Sequence, residues 1–366
     1  MKVIILAILF FVSFPVLAHK TSDSYINVTE NDGAARISWE IALQDLVLFM
    51  DLDNDKDGSI SWGELKENRT AIFSRTYSRI TLTANDADCR PVLKSMNLSR
   101  HSDGNYIALT ASLPCDITSD GFQFKYSFLF DLDAQHRGLL NVDIPGNSVA
   151  HVFSPDNQFF IYYVDEVSQT DSFISFFLEG VWHIWIGYDH ILFLISLLLP
   201  ATLSGRKSND NGKGDFRAVF VSVIKIVTAF TIAHSITLTL VSLDVLSVPI
   251  SLAETIIAIS LVVAAGLNLM PKINIHRWQI GFVFGLIHGF GFASVLSELS
   301  IYGQSMLVPL AGFNLGVEAG QFAIVAVLCP LLFYFGQKKY YELVVVRAGS
   351  GLIMLLGVMW TIQRSV

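Results

Sequence analysis

Charge is scarce in this chain. Asp, Glu, Lys and Arg make up 15% of its 366 residues, against 52% hydrophobic residues and a mean hydropathy of +0.51. That balance is too apolar for an ordinary soluble protein, and it excludes a disordered chain or a nucleic-acid binder. Cysteine is scarcer still, with three residues in all. The formal net charge of −8 is unevenly spread: residues 19–172 hold 23 acidic and 12 basic side chains, whereas residues 173–366 hold 9 and 11. Two different objects are therefore joined near residue 172, one acidic and water-facing, the other apolar.

Lys2 precedes an apolar run from Val3 to Val12, and Pro15-Val16-Leu17-Ala18 closes the segment with small residues. This predicts a signal peptide over 1–18, cleaved after Ala18; the alternative is an uncleaved anchor, although the run is short for a bilayer. Export makes Cys89 and Cys115 readable as a disulfide, with two free buried thiols as the other reading. Cys329, in an apolar run, is a packing residue.

Between Ser22 and Val164 apolar and polar residues alternate, as in Tyr25-Ile26-Asn27-Val28 and Phe122-Gln123-Phe124-Lys125-Tyr126, with Gly-containing turns between the runs. The expected fold of residues 19–172 is an exported all-β, sandwich-like domain. Over about 41–77 the period turns helical on both sides of an acidic loop. Residues 53–64 match a twelve-residue EF-hand loop: Asp53, Asp55 and Asp57 supply carboxylates, Ser59 a backbone carbonyl, Ser61 a contact through water, and Glu64 both carboxylate oxygens, with Gly58 at the sharp turn. The implied cofactor is Ca2+, in a structural role; a solvated acidic turn is the plainer reading.

Residues 173–366 are expected to form an all-α polytopic domain of six helices, at about 175–199, 218–243, 248–270, 279–299, 307–335 and 344–362. With the β domain outside, alternate loops carry Arg206, Lys207, Lys213 and Arg217, then Lys272 and Arg277, then Lys338, Lys339 and Arg347. The opposite loops, around Asp244 and Glu298, have no basic residue. The positive-inside pattern thus agrees with the signal peptide on a bacterial inner-membrane protein with an extracytoplasmic N-terminal domain.

Ionisable groups inside such helices are expensive and point to function. The first helix carries His183, Asp189 and His190, the two histidines seven apart on one face; the second carries His234 and Ser235, the third Glu254, the fourth His288, and the fifth Asn314 and Glu318. Counted from the outer helix ends at 1.5 Å per residue, His183, His234, His288, Glu254 and Glu318 fall roughly 9 to 17 Å deep, with Asp189 and His190 a turn or two deeper. Imidazoles beside carboxylates suit Ni2+, Co2+ or Zn2+. Gly285, Gly289, Gly291, Gly312 and Gly316 allow close helix packing around such a cluster. His183, Asp189, His190, His234, His288 and Glu318 are the candidate ligands, supported by Glu254, Asn314 and Ser235. A single intramembrane histidine, by contrast, is commonly a hydrogen-bonded packing residue.

His183 followed after five residues by Asp189-His190 resembles the His-x5-Asp-His signature of the HupE/UreJ family, membrane accessory proteins of hydrogenase and urease viewed as nickel permeases. The segments 228–235, 253–258, 284–289 and 313–318 are similar to its other blocks. The resemblance covers the whole membrane half and implies that His183, Asp189, His190 and His288 are metal ligands or relay points. Two features depart from the short members: the exported domain with its acidic loop, and Ile184 where they commonly have proline. Three functions fit these residues. The first is a permease for nickel or cobalt, partnered by the bilayer, the ion and a metal-delivering or accessory protein. The second is an intramembrane zinc hydrolase with Glu318 or Asp189 as base. The third is a calcium-dependent assembly or sensor protein.

Overall fold

In the computed structural model the described residues are 22–31, 33–85, 87–101, 104–117, 121–144, 147–163, 169–206, 215–243, 245–246, 248–270, 276–298, 307–338 and 340–365. The signal-peptide segment lies outside them. Ten strands come first: β1 (Asp23–Asn31), β2 (Ala34–Ala42), β3 (Ile80–Ala84), β4 (Ala87–Asp88), β5 (Val92–His101), β6 (Gly104–Leu113), β7 (Phe122–Tyr126), β8 (Arg137–Ile144), β9 (Asn147–Phe153) and β10 (Phe159–Tyr162). Six form one sheet in the order β5-β6-β2-β1-β8-β9, in which β1 and β8 run parallel; the other four form a sheet ordered β10-β7-β3-β4. Alternation explains the layering, since successive strand residues face opposite sides. Ile37, Trp39 and Ile41 of β2 join Phe124 and Tyr126 of β7 in a core shared by both sheets. Cys89 and Cys115 are bonded to each other, and Cys329 is a free buried thiol. Between β2 and β3 lie three short helices, α1 (Leu43–Phe49), α2 (Trp62–Glu67) and α3 (Arg69–Tyr77), flanking the acidic loop.

A buried polar chain runs through this core. Trp39 Nε1 donates to Ser24 Oγ (3.1 Å), Ser24 Oγ lies 2.7 Å from Tyr126 OH, and Tyr126 OH lies 2.6 Å from His136 Nε2. His136 Nδ1 is 2.5 Å from Ser22 Oγ, which donates to Asp45 Oδ2 at 2.8 Å. Trp can only donate and a carboxylate can only accept, so the ends set the direction: each hydroxyl donates onward, and neutral His136 accepts at Nε2 and donates at Nδ1.

The helical half contains α4 (Gln169–Ile186), α5 (Tyr188–Arg206), α6 (Phe216–Ser242), α7 (Ile250–Leu269), α8 (Arg277–Glu298), α9 (Leu307–Gly336), a π-helical stretch Tyr341–Ala348, and α10 (Gly349–Ser365). Among the described residues, α6, α7, α9 and Tyr341–Arg364 are each long and apolar enough to cross a membrane. The expected continuous first span is corrected: it is a helix pair, α4 and α5, bent by 68° at Gly187, and only together do they pass the same test. Glycine permits this bend, because a Cβ at Gly187 would sit 2.7 Å from both His183 O and His190 Nδ1. Large apolar side chains such as Val327, Leu343 and Leu355 are exposed on the helices, as lipid contact requires.

Two glycine rows hold the bundle. A Cβ at Gly312, Gly316 or Gly320 of α9 would meet the carbonyl oxygens of Phe173, Phe177 and Val181 on α4 at 2.6, 2.0 and 3.2 Å. On α8, Gly281, Gly285 and Gly289 face the carbonyls of Ile226, Phe230 and His234 of α6 at 3.0, 2.3 and 2.7 Å. Every member is four residues from the next, so each row lies along one helix face and lets backbones touch. Gly291, expected to share this role, meets only Ile257 Cδ1 at 3.1 Å.

The large sheet also docks onto the bundle. Its second face contributes Tyr25, Tyr106, Leu139 and Val152 to a cluster with Phe176, Leu238, Leu310 and Phe313. Arg137 Nε donates to Glu179 Oε1 at 2.7 Å, an ion pair between β8 and α4 one helical turn before His183.

Two predictions follow from these contacts. Gly316→Ala should destabilise the folded protein by about 1–3 kcal/mol, because the added methyl must push two backbones apart; a lowered melting temperature in detergent reads this. Acid should loosen the β domain. Burial, with Arg137 adjacent, pushes His136 down to about 3, and burial pushes His151 down to about 4 against the pull of Asp171. Both rings stay neutral when folded, whereas the unfolded chain takes up protons near about 6.5. Their contribution is therefore intact above about pH 6.5 and falls, by about 1.4 kcal/mol per pH unit for each ring, as pH drops toward the folded values. Hydrogen exchange across β1 and β8 of the full chain, corrected for intrinsic rates, should accelerate between about pH 6 and pH 4.

Candidate metal centre in the membrane domain

Four histidines from four helices meet in the bundle. On a straight helix His183 and His190 would be separated by about 10 Å along the axis. The bend at Gly187 instead brings their ring centroids to 4.7 Å, while backbone bonds from Gly187 N to His183 O and from Ile191 N to Gly187 O (each 3.0 Å) carry the helix across the corner. His234 of α6 lies 6.4 Å from His183 and 6.5 Å from His190, and His288 of α8 lies 5.0 Å from His190. One ligand atom each from His183, His190 and His234 can be chosen so that all lie within 4.8 Å. His190, His234 and His288 are buried, and His183 is half-buried. Phe193, Phe230 and Phe313 pack against the rings as an apolar wall.

Neighbouring groups decide which nitrogens face inward. Asp189 Oδ1 is 2.9 Å from His190 Nδ1 and also accepts from His190 N at 2.9 Å. A carboxylate accepts only, so Nδ1 carries the proton and Nε2, which is buried and makes no hydrogen bond, offers a lone pair. On α7, Ser260 Oγ donates to Ile257 O at 2.7 Å and lies 3.0 Å from His288 Nε2. With that proton on Ile257 O, the oxygen accepts from Nε2, and the lone pair of His288 is on Nδ1, which is buried and makes no hydrogen bond. Both nitrogens of His234 are likewise buried, and the Asn314 side chain of α9 is the polar neighbour of that ring. Lone pairs left unbonded in a dry interior are costly, and ring nitrogens held by a carboxylate or hydroxyl on the far side are how proteins orient metal-binding imidazoles.

Glu318 is half-buried on α9, outside the set of ligand atoms within 4.8 Å. Ser235 donates to Thr231 O within its own helix at 2.8 Å. Asn314, half-buried on α9, lies beside the His234 ring, and the backbone oxygen of Glu254 accepts from Arg364 Nη1 at 3.3 Å. Two contributors were not read from the sequence. Ser260 is a lone hydroxyl in an apolar run, and Arg364, whose Nη1 is 3.6 Å from Asp189 Oδ2, is a cation at the very end of the last apolar stretch. Only their polarity in such surroundings marked them.

A family model described as HupE / UreJ protein matches residues 161–364. The chain belongs to the HupE/UreJ family. The match begins at the last strand and takes in every helix that carries a histidine of the cluster. No curated protein matches the chain. This HupE/UreJ protein is a multi-pass membrane protein with a β-rich N-terminal region ahead of its helices.

In the acidic loop, oxygens of Asp53, Asp55 and Asp57 lie within 4.8 Å of one another. Gly58 turns the chain at φ +86°, and its N–H donates to Asp53 Oδ2 at 3.0 Å. Glu64 accepts from Asn54 N and Ser61 N, each at 2.8 Å, and caps α2 together with Ser61. Ser59 donates to Asp57 Oδ1 from both its N–H (2.8 Å) and its hydroxyl (2.7 Å).

With ring nitrogens labelled, the NMR shifts of the full chain should report His190 protonated at Nδ1 and His288 at Nε2. Asp189→Asn, whose amide can donate, should move the His190 proton to Nε2, and Ser260→Ala should leave His288 a mixture of tautomers.

Proposed function

We propose that this protein is a permease that moves a divalent transition-metal ion, nickel or cobalt, through the membrane. The observation that carries this reading is the convergence of imidazoles from α4, α5, α6 and α8, with ring nitrogens of His190, His234 and His288 buried among them. Neutral nitrogen donors with one carboxylate behind them fit borderline ions and do not fit calcium or magnesium, which take oxygen. Membership of the HupE/UreJ family supports a nickel or cobalt transport or accessory role. His183, His190, His234 and His288 would bind the ion in passage, and Asp189 would orient His190. Glu318, a half-buried carboxylate on α9, and His288 both lie outside the three residues whose ligand atoms come within 4.8 Å of one another.

The β domain is the extracytoplasmic cap of this permease in the inner membrane. It packs on the ends of α6 and α9 that lie away from Arg217 and Lys338, which supports the sidedness read from the basic loops. Its acidic loop is an EF-hand site for structural Ca2+, held by Asp53, Asp55, Asp57, Ser59, Ser61 and Glu64. The near approach of three carboxylates around a positive-φ glycine supports that fit.

Elemental analysis of the purified full chain, after exposure to Ni2+ and Ca2+, tests both assignments. His190→Ala should lose nickel and keep calcium, and Glu64→Gln should lose calcium and keep nickel. Equal nickel in wild type and His190→Ala would end the permease reading.

A further inference from the structure

We propose that Arg364 is a built-in competitor for the transported ion: its guanidinium pairs with Asp189 and thereby weakens the hold of the histidine cluster on a divalent metal. The inference rests on the permease reading. Asp189 sits against the cluster with its two oxygens differently engaged. Oδ1 accepts from His190 N and Nδ1, each at 2.9 Å, whereas Oδ2 lies 3.6 Å from Arg364 Nη1. Both side chains are 17% exposed, so the pair is shielded from water. Among the described residues, Arg364 is the one Lys or Arg paired with this carboxylate.

Arg364 is held in place rather than trailing from the end of α10. Its Nη1 donates to Glu254 O at 3.3 Å in the first turns of α7, and its own carbonyl accepts from Thr255 Oγ1 at 3.1 Å. The guanidinium also lies 5.7 Å over the Trp360 ring. A long cationic side chain near a helix end would ordinarily snorkel to water. Here it is clasped between two helices and directed at a carboxylate.

The consequence is electrostatic. Neutral imidazoles add no charge, so the carboxylate beside the cluster contributes −1 through Asp189, and Arg364 cancels that contribution. A divalent ion entering a poorly screened interior is therefore attracted less strongly than Asp189 alone would attract it. Tight binding is undesirable in transport, because an ion that cannot leave is not moved. Arg364 would set the affinity low enough for release, without touching the ion.

The test is Ni2+ binding to the detergent-purified full chain, measured by competition with a chelator, together with the rate of Ni2+ release into excess chelator. Arg364→Gln should bind Ni2+ at least tenfold more tightly and release it correspondingly more slowly, while Arg364→Lys, which keeps the charge, should stay close to wild type. If the glutamine variant does not fold, Arg364→Met carries the same expectation. A neutral variant that binds as wild type does, or more weakly, overturns the inference and leaves the permease reading standing. Equal Ni2+ binding by wild type and His183→Ala would overturn that reading and this inference with it.

Discussion

The 68° bend at Gly187 is the constraint on which the centre depends. Without it the imidazoles of His183 and His190 would be two turns apart on one helix face. With it they are neighbours, and the space between α4 and α5 opens toward His234 and His288. The bend needs a residue without a side chain, because a Cβ would strike both the His183 carbonyl and the His190 ring. Two backbone bonds, Gly187 N to His183 O and Ile191 N to Gly187 O, span the corner and pair those groups in an apolar setting.

Close backbone contact then turns the bend into a pocket. One glycine row seats α9 against α4, and the other seats α8 against α6, so within each pair the helices are fixed in depth. His234 belongs to the second row through its carbonyl, and His288 adjoins Gly289, so the contacts that hold the helices also set the ring positions. Lipid offers little hydrophobic drive between helices, and close packing of this kind supplies the association. The β domain is tied into the same arrangement: its large sheet is apolar on both faces, one covered by the small sheet and the other by the helix ends, with Arg137 and Glu179 bridging the two halves.

Electrostatics at the centre follow from scarcity. Few charges lie within the bundle, so each acts with little competition: Asp189 selects the His190 tautomer, and its second oxygen is left for Arg364. The same economy appears in the β core, where a single chain of hydroxyls runs from the Trp39 indole through His136 to the Asp45 carboxylate and leaves the imidazole neutral.

Much of this was legible in the residues themselves. Alternation marked the strands, apolar length marked the membrane helices, and the shared depth of His183, His234 and His288 marked a common layer, because these depend on spacing along the chain. Gly285, Gly289, Gly291, Gly312 and Gly316 pointed to close helix packing, although the division into two rows, the further members Gly281 and Gly320, and the helices they meet did not emerge from the chain alone. Tertiary structure decided the rest. It turned one expected span into two helices, committed the Ser235 hydroxyl to its own helix, and brought in Ser260 and Arg364 from distant positions. The physical reason is that sequence determines which groups a helix must carry and at what depth. Which way each helix turns, and which distant residue meets an exposed oxygen or nitrogen, is settled only when the backbones close on one another.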